Sequence, residues 1–200
     1  MQELSGYAII ILAAGNSSRL GEPKQLLKYQ GTTLIRHITE AAIEAKCAAV
    51  IVVTGSNASL IKEELHSLSY HVVNNQNWEK GMASSIVTGV REVIKKHPNI
   101  AGAIFAVSDQ PFVNVTLFNA LIDKALEQKS AIVASEYDNT FGTPVLFSNK
   151  YFPALLTLSG AEGAKKLVKK FADDATSIPF PLGSVDIDTQ EDYQKLLRNS

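Results

Sequence analysis

Disulfide bonds, a strong net charge and long apolar segments are all missing from this chain, and each absence excludes a class of protein. Among 200 residues there is one cysteine, Cys47, which cannot form an internal disulfide. Nineteen basic and twenty acidic side chains give a formal net charge of -1, so no overall field draws the chain to nucleic acid or to an anionic membrane. Apolar runs such as Ala8 to Ala14 fall far short of the ~20 residues that cross a bilayer. We therefore expect no nucleic-acid partner and no membrane partner.

Targeting and zinc-binding signals are also missing. Residues Met1 to Ser5 lack the basic region and cleavage site of a secretory signal, so we expect a cytoplasmic protein. The four histidines are scattered and have no cysteine or acidic partner at zinc-ligand spacing. The sequence has no repeat, low-complexity tract or linker, and it holds enough apolar residues for one buried core. The prediction is a single domain, residues 1–200.

Short β-branched runs alternate with longer segments of helical period, which is typical of a mostly parallel sheet covered by helices. Continuously apolar runs predict central strands at Ala8–Leu12, Val50–Val53 and Ala103–Val107. Flanking strands are predicted at His71–Val73, Ala131–Val133 and Pro144–Phe147. Because proline cannot donate to a strand ladder, Pro144 is expected at a strand start or on a sheet edge. The predicted class is α/β.

Apolar residues at helical spacing predict helices whose apolar faces cover this sheet. The stripes are Leu34-Ile35-Ile38-Ala41-Ala42-Ala45, Ile86-Val87-Val90-Val93-Ile94 and Leu117-Phe118-Leu121-Ile122-Ala125. Asn114 or Thr116 is predicted to cap the third helix, and Thr189 with Asp192 resembles a capping box for a C-terminal helix. From residue 148 to 181 the pattern is irregular, which fits a lid or a rim insertion and equally fits ordinary connecting helices.

The segment after the first central strand has the composition of a phosphate-binding turn. It lies at the carboxyl end of a predicted parallel strand, where open α/β sheets bind ligands. Gly15 permits close approach of the backbone, successive N–H groups from Asn16 to Ser18 can surround phosphate oxygens, and Arg19 and Lys24 add positive charge. The turn is neither a G-x-G-x-x-G fingerprint nor a P-loop. The alternative is a plain strand-to-helix turn with two solvated cations.

The turn also resembles a known signature. The string Leu12-Ala13-Ala14-Gly15-x-Ser17-x-Arg19-x-Gly21-x-x-Lys24 looks like that of the nucleotidyltransferase superfamily with a Rossmann-like fold. Later motifs resemble, in order, its CTP:molybdopterin cytidylyltransferase branch. They are Lys24-Gln25-Leu26-Leu27, Gly81-Met82-Ala83-Ser84-Ser85-Ile86, Ser108-Asp109-Gln110-Pro111, Gly142-Thr143-Pro144-Val145-Leu146-Phe147 and Asp186-Ile187-Asp188-Thr189-x-x-Asp192.

This resemblance implies a three-layer Rossmann-like nucleotidyltransferase fold with a mostly parallel central sheet and helices on both faces. It implies transfer of CMP from CTP to the phosphate of molybdopterin, or molybdenum cofactor, with release of pyrophosphate and with Mg²⁺ as cofactor. A molybdenum hydroxylase is the implied recipient of the product. The implied catalytic residues are Lys24, Arg19 and Asp109, and the implied nucleotide-binding residues are Leu12, Ala13, Ala14, Gly15, Asn16, Ser17, Ser18, Arg19, Lys24 and Ser85.

Carboxylates near the strand ends are the candidate metal ligands. Asp109 follows the third central strand, so it can reach the same crevice as the first turn. Magnesium is typically held by one or two carboxylates together with substrate phosphates, and Asp186 and Asp188 are the candidates for a second ligand. We expect only one of the two to enter the site and favour Asp186. Asp188 has an alternative role as a cap of the C-terminal helix.

Two observations bear on substrate identity. Relatives that transfer GMP usually have Ala-Gly-Gly in the first turn, so Ala13-Ala14-Gly15 favours cytidine. The segment Gly160 to Lys166 resembles a family segment usually seen as Gly-Asp-x-Gly-Ala-Arg, with Ala161 in place of Asp and Lys165 in place of Arg. These departures leave two alternatives open. One is a nucleotidyltransferase for another acceptor, such as a sugar phosphate, or one that transfers GMP. The other is a non-catalytic carrier of molybdenum cofactor.

Overall fold

A central β-sheet with helices on both faces organises the part of the chain that the computed structural model describes, residues 5–17 and 20–198. The strands are β1 (Ser5–Ala13), β2 (Lys28–Tyr29), β3 (Thr32–Thr33), β4 (Ala49–Thr54), β5 (His71–Asn74), β6 (Ile100–Val107), β7 (Ile132–Tyr137), β8 (Thr140–Ser148) and β9 (Ala175–Pro179). The α-helices are α1 (Leu34–Glu44), α2 (Ala58–Glu64), α3 (Met82–Lys96), α4 (Val115–Gln128), α5 (Phe152–Leu155), α6 (Lys165–Lys170) and α7 (Gln190–Arg198). Short 3-10 helices include Lys24–Leu26, Trp78–Lys80 and Pro181–Ser184.

The strand order within the described residues is β5-β4-β1-β6-β8-β7-β9. Strands β5, β4, β1 and β6 pair in parallel, β8 is antiparallel to both β6 and β7, and β9 is parallel to β7. Strand β1 lies between β4 and β6, with Ile9 opposite Val50 on one side and Ile104 on the other. The predicted central and flanking strands are confirmed. The carboxyl ends of β1, β4 and β6 therefore open onto one edge of the sheet.

Alternate side chains of β1 enter two separate cores, which is the physical basis of the three layers. Ile9 and Ile11 pack on one face with residues of α1 and α4, whereas Ile10 and Leu12 pack on the other face with residues of α3 and α6. Most residues of the predicted apolar stripes supply these helix faces, but Ile94 is 40% exposed, Val87 belongs to neither core and Leu34 packs in a smaller third cluster. The predicted three-layer α/β fold is confirmed. Among the helices of the described ranges, none is both long and apolar enough to span a membrane.

Two expectations about the second half of the chain need correction. Pro144 lies inside β8, an internal strand, rather than at a strand start or on an edge. The β7–β8 register shifts between Ala134 and Ser135, which releases Pro144 from the ladder position that would require an N–H. The irregular segment from residue 148 to 181 is neither a pure lid nor only connecting helices, because it also contributes the edge strand β9.

The predicted caps bear on the site. Asn114 caps α4, because its side chain accepts from the Leu117 N–H at 3.0 Å. At α7, Thr189 Oγ1 accepts from the Asp192 N–H at 3.2 Å and Asp192 Oδ2 accepts from the Thr189 N–H at 2.9 Å. The capping box is confirmed. Because Thr189 caps this helix, the alternative role of Asp188 as its cap is wrong.

Candidate active site

After β1 the chain passes from a buried strand to an exposed loop within a few residues. Leu12 and Ala13 end the strand and are buried, whereas Gly15 and Asn16 are exposed. Ser17 has a positive φ of 54°, and its Oγ accepts a hydrogen bond from the Lys24 N–H at 2.9 Å. That bond closes the turn and directs the chain back toward the sheet edge. The predicted residues Ser18 and Arg19 lie outside the described residues.

Lys24 lies between two carboxylates from distant parts of the chain. Its Nζ is 2.5 Å from Asp109 Oδ2 and 3.0 Å from Asp188 Oδ1. Burial alone lowers the pKa of Lys24, but the charges and hydrogen bonds of Asp109 and Asp188 outweigh that effect and raise the pKa above its usual value. Lys24 therefore stays cationic at neutral pH.

Asp186 and Asp188 both reach this edge of the sheet. Ile187, between them, is fully buried and donates its N–H to the Asp109 carbonyl at 3.3 Å, so the segment runs directly past the end of β6. Residues two apart in an extended chain share a face, which directs both carboxylates to the same side as Asp109. Asp186 lines one cavity with Asp109, whereas Asp188 pairs with Lys24, and the choice of Asp186 as the metal ligand stays a prediction.

The electrostatics of Asp186 indicate a place for a cation. Desolvation raises the pKa of its carboxyl first, and the nearby charges of Asp109 and Asp188 raise it further. Asp109 Oδ1 is buried and has no hydrogen-bond partner among the described residues, while its Oδ2 contacts Lys24. An unpaired carboxylate oxygen beside a second carboxylate whose pKa is raised fits a hard divalent cation. Within the described ranges no group of three His, Cys, Asp or Glu side chains is placed to hold a metal ion. Magnesium is typically held by one or two carboxylates together with substrate phosphates.

Two adjoining cavities open at this edge. The first, called here the β1 cavity, is lined by Leu12, Ala14, Gly15, Trp78, Ser85 and Asp109. The second, called here the β8 cavity, is lined by Gln110, Tyr137, Gly142, Thr143, Lys165 and Asp186. Met82, Val107 and Asp109 line both cavities. Asp109 thus lies where a ligand in one cavity meets a ligand in the other.

The start of α3 forms one wall of the β1 cavity. Asn75, which is buried, donates through its side-chain amide to Ser84 Oγ at 2.7 Å and to Ser85 Oγ at 3.0 Å. Among the described residues, the Ser85 hydroxyl has no acceptor of its own. Its proton is therefore available to a ligand in the cavity. Trp78 lines the same cavity.

Comparison with known proteins identifies the family. The family model described as MobA-like NTP transferase domain matches residues 9–175. The chain belongs to this family. The predicted superfamily is thereby confirmed, and the protein is a MobA-like nucleotidyltransferase.

Curated relatives of this MobA-like chain have varied names. It is 30% identical over 197 residues to nicotine blue oxidoreductase of Paenarthrobacter nicotinovorans. This alignment covers 94% of this chain and 95% of that protein. It is 32% identical over 207 residues to purine catabolism protein PucB of Bacillus subtilis, covering 97% and 98%. A probable molybdenum cofactor guanylyltransferase of Bacillus cereus is 32% identical over 133 residues, or 65% of this chain and 62% of that one.

Solved structures agree with the MobA-like fold. Rv0371c of Mycobacterium tuberculosis H37Rv has a TM-score of 0.84 and 29% sequence identity, with 98% of this chain and 99% of that chain covered. A structure of Rv0371c in complex with manganese has a TM-score of 0.79 and 27% identity, with 98% and 100% covered. Divalent metals are common cofactors of phosphoryl-transferring enzymes.

Several residues of this MobA-like site were not singled out from the sequence. Gln25, next to Lys24, is buried behind the turn. Gln110 is also buried, and it donates to the Gly183 carbonyl at 2.7 Å and accepts from Thr143 Oγ1 at 3.0 Å, which joins three walls of the β8 cavity. Tyr137 lies against Gly142 and Gly183, where any larger residue would collide with its ring. Both glutamines lie inside the motifs quoted above, and that position was the signal available in the sequence.

Proposed function

We propose that the protein transfers CMP from CTP to the phosphate of molybdopterin, or molybdenum cofactor, and releases pyrophosphate. The observation that carries the proposal is the position of Lys24 and Asp109, paired where the β1 cavity meets the β8 cavity. In this proposal the nucleotide occupies the β1 cavity and the acceptor occupies the β8 cavity. The family and the relative named as a probable molybdenum cofactor guanylyltransferase support the reaction class and the type of acceptor.

The chemistry requires no covalent enzyme intermediate. An oxygen of the acceptor phosphate attacks the α-phosphorus of CTP and forms a new P–O bond, and the bond from the α-phosphorus to the bridging oxygen breaks to release pyrophosphate. Lys24, cationic because of its carboxylate partners, stabilises the negative charge that develops on the phosphate oxygens. We assign Arg19 to the departing pyrophosphate, although it lies outside the described residues.

Mg²⁺ is the proposed cofactor, and Asp109 with Asp186 is its proposed ligand pair. The buried free oxygen of Asp109 and the raised pKa of the Asp186 carboxyl support this choice. Asp188 instead orients Lys24, with which it pairs at 3.0 Å. When bound, the ion would neutralise charge on the triphosphate.

The preference for cytosine rests on the space beside Ala14 in the β1 cavity. Ala14 places a methyl group where GMP-transferring relatives usually have glycine, and Gly55 packs so closely behind it that the Ala14 backbone cannot retreat. A narrower cavity favours a pyrimidine over a purine. The free hydroxyl proton of Ser85 suits a carbonyl oxygen on the base, which supports binding of a base in this cavity but does not by itself select cytosine over guanine.

Other acceptors and activities stay open as alternatives. Lys165 lines the β8 cavity where relatives usually carry arginine, and an ammonium group recognises phosphate as a point charge rather than as a planar fork. Because of this difference, molybdopterin and sugar phosphates should both be tested as acceptors. GMP transfer and a non-catalytic molybdenum cofactor carrier are the further alternatives.

The experiment measures pyrophosphate released from CTP, GTP, ATP and UTP with Mg²⁺ or Mn²⁺, with and without molybdopterin, molybdenum cofactor or sugar phosphates. We expect release with CTP and a molybdopterin acceptor, and its loss in Lys24→Met. Release with GTP or with a sugar phosphate would replace the proposed substrates but keep the reaction class. A protein that binds CTP yet releases no pyrophosphate with any acceptor would be a carrier.

The cellular setting is part of the same proposal. We place the reaction in the cytoplasm and propose that the product passes to a molybdenum hydroxylase. Co-purification of such an enzyme with the tagged protein, from cells supplied with molybdate, tests that partner. Absence of any molybdenum enzyme from the eluate, when the product is being made, would remove it.

A further inference from the structure

Gln25 is buried directly behind the turn that leaves β1. Gln25 is 1% exposed, lies in the 3-10 helix that begins at Lys24 and also lines the inner end of the β1 cavity. The amide nitrogen donates to the Gly15 carbonyl at 2.8 Å and lies 3.4 Å from the Ala13 carbonyl. A residue twelve positions after the end of the strand thus reaches back and contacts the backbone of the turn.

The β4–α2 turn holds the same backbone from the other side. Ser56 Oγ donates to the Gly15 carbonyl at 3.2 Å, and Asn57 Nδ2 donates to it at 3.4 Å. The Ser56 N–H donates to the Ala14 carbonyl at 3.3 Å. The carbonyl oxygens of three successive residues, 13 to 15, are therefore all engaged by donors of the protein.

Because each carbonyl shares a planar peptide with the next N–H group, the hydrogen bonds to these carbonyls also fix the orientation of the N–H groups. In a planar trans peptide the C=O and the following N–H point in opposite directions. The anchored Ala14 and Gly15 carbonyls therefore turn the N–H groups of Gly15 and Asn16 away from Gln25 and Ser56. Among the described residues these two N–H groups have no acceptor, and both residues are exposed. They are free donors at the mouth of the β1 cavity.

We infer that Gln25 is a positioning residue for polyphosphate binding, an inference that rests on the proposed function. By holding the Gly15 carbonyl, it keeps an electronegative oxygen away from the triphosphate and presents the Asn16 N–H to it. The side chain has to be a donor: a glutamate at this position would aim a carboxylate at two carbonyl oxygens. The shape of a glutamine can be imitated by methionine, but its N–H groups cannot.

Packing alone does not explain a glutamine at this position. Gln25 Oε1 is buried without a hydrogen-bond partner among the described residues, and burying such an unpaired atom opposes folding. An apolar side chain of similar size would fill the space without that penalty. A locally unfavourable residue beside a functional turn is the pattern expected where function requires it.

The test compares Gln25→Met and Gln25→Glu with Gln128→Glu, an exposed glutamine at the end of α4 that serves as a matched control. Trp78 is the single tryptophan of the chain and lines the β1 cavity, so its fluorescence reports binding. Each protein is titrated with CTP, with inorganic pyrophosphate and with cytidine, and circular dichroism checks folding. Ser56→Ala/Asn57→Ala removes the other two side-chain donors to the Gly15 carbonyl and leaves Gln25 in place.

We expect Gln25→Met to weaken CTP and pyrophosphate binding about tenfold, a typical effect of losing a hydrogen bond that organises charged groups, while cytidine binding stays unchanged. The Ser56→Ala/Asn57→Ala variant should show the same selectivity, and it decides the question if the Gln25 variants fail to fold. Equal loss of cytidine and pyrophosphate binding, or wild-type affinity for both phosphate ligands, would overturn the positioning role. If the wild-type protein itself binds no nucleoside triphosphate, the proposed function fails instead.

Discussion

Lys24 Nζ and Asp109 Oδ2 lie 2.5 Å apart although 85 residues separate them in the chain. The pair joins the turn after β1 to the end of β6, the strand beside it. Each partner is less than one-fifth exposed, so the two charges attract in a partly dehydrated setting where Coulomb forces exceed those in water. The ion pair holds both groups at the junction of the two cavities before any ligand binds.

Replacing Lys24 by methionine should reduce the rate of pyrophosphate release by about 100- to 1,000-fold. The variant loses a positive charge that is already in place beside the phosphate oxygens on which negative charge develops. Lys28→Met is the control, since Lys28 is exposed and has no ion pair among the described residues. The KM for CTP and kcat are measured for each variant. Near-normal turnover of Lys24→Met would remove this residue from the mechanism.

Asp186→Asn and Asp188→Asn should separate the two carboxylates by function. Loss of a proposed metal ligand in Asp186→Asn should raise the Mg²⁺ concentration for half-maximal rate by about tenfold or more, since few carboxylates hold this ion. Asp188→Asn removes a partner of Lys24, so kcat should fall with little change in the Mg²⁺ requirement. Mn²⁺ binding followed by electron paramagnetic resonance gives an independent readout.

Asp123→Asn is the control for both variants, because Asp123 forms an exposed pair with Lys46 far along α4. It should leave the metal requirement and the rate unchanged. If Asp188→Asn, rather than Asp186→Asn, shifts the Mg²⁺ requirement, the two roles must be exchanged.

The raised pKa of Asp186 makes a prediction about stability without metal. Its carboxyl is more easily protonated in the folded chain than in the unfolded chain, so the stability it contributes is present at acidic pH and is lost as pH rises through the folded pKa. Asp186→Asn should therefore raise the melting temperature at pH 7 in a chelating buffer, and the difference should vanish below about pH 4, the ordinary range for aspartate. Thermal melts over pH check this. A variant that is less stable than wild type at pH 7 would contradict it.

Gly15→Ala should affect binding without affecting folding. A methyl group at Gly15 would meet no atom within 4 Å, and φ at this residue is not in the left-handed region. The space is where the triphosphate is proposed to approach the backbone, so affinity for CTP should fall while the melting temperature stays the same.

Gly89→Ala is the opposite case and serves as its comparison. Its new methyl would lie 2.6 Å from Ile10 Cγ2 in the core, and overpacking of this kind costs about 1–3 kcal/mol. Gly89→Ala should lower the melting temperature while folded enzyme keeps its affinity for CTP. Unchanged CTP affinity in Gly15→Ala would place the triphosphate elsewhere.

Ser85→Ala should raise the KM for CTP by about fivefold, the effect of losing one hydrogen bond to a base. Asn75 would then lose one of its two serine acceptors but keep Ser84 at 2.7 Å, so the wall of the cavity should stay folded. Ser69→Ala, on the far side of β4 near Tyr70, is the control. If the KM does not change, Ser85 does not contact the base.

Much of this molecule could be predicted from local patterns. The continuous apolar runs predicted β1, β4 and β6, because a strand buried on both faces has no polar positions. The Thr189–Asp192 capping box was visible as a four-residue motif. Pro144 was misplaced, since proline chemistry excludes a regular ladder position but does not reveal that a register shift will supply an irregular one.

What the sequence by itself determined is the fold class, the turn at the end of β1 and the residue types able to bind phosphate and metal. These depend on hydrophobic period and on backbone conformation, which act over a few residues. Only the tertiary structure decided that Lys24 pairs with Asp109 and Asp188, that Asp186 lies beside them, and that Gln25 holds the Gly15 carbonyl. Those contacts depend on the order of strands in the sheet, and that order is set by how the whole core packs rather than by any local pattern.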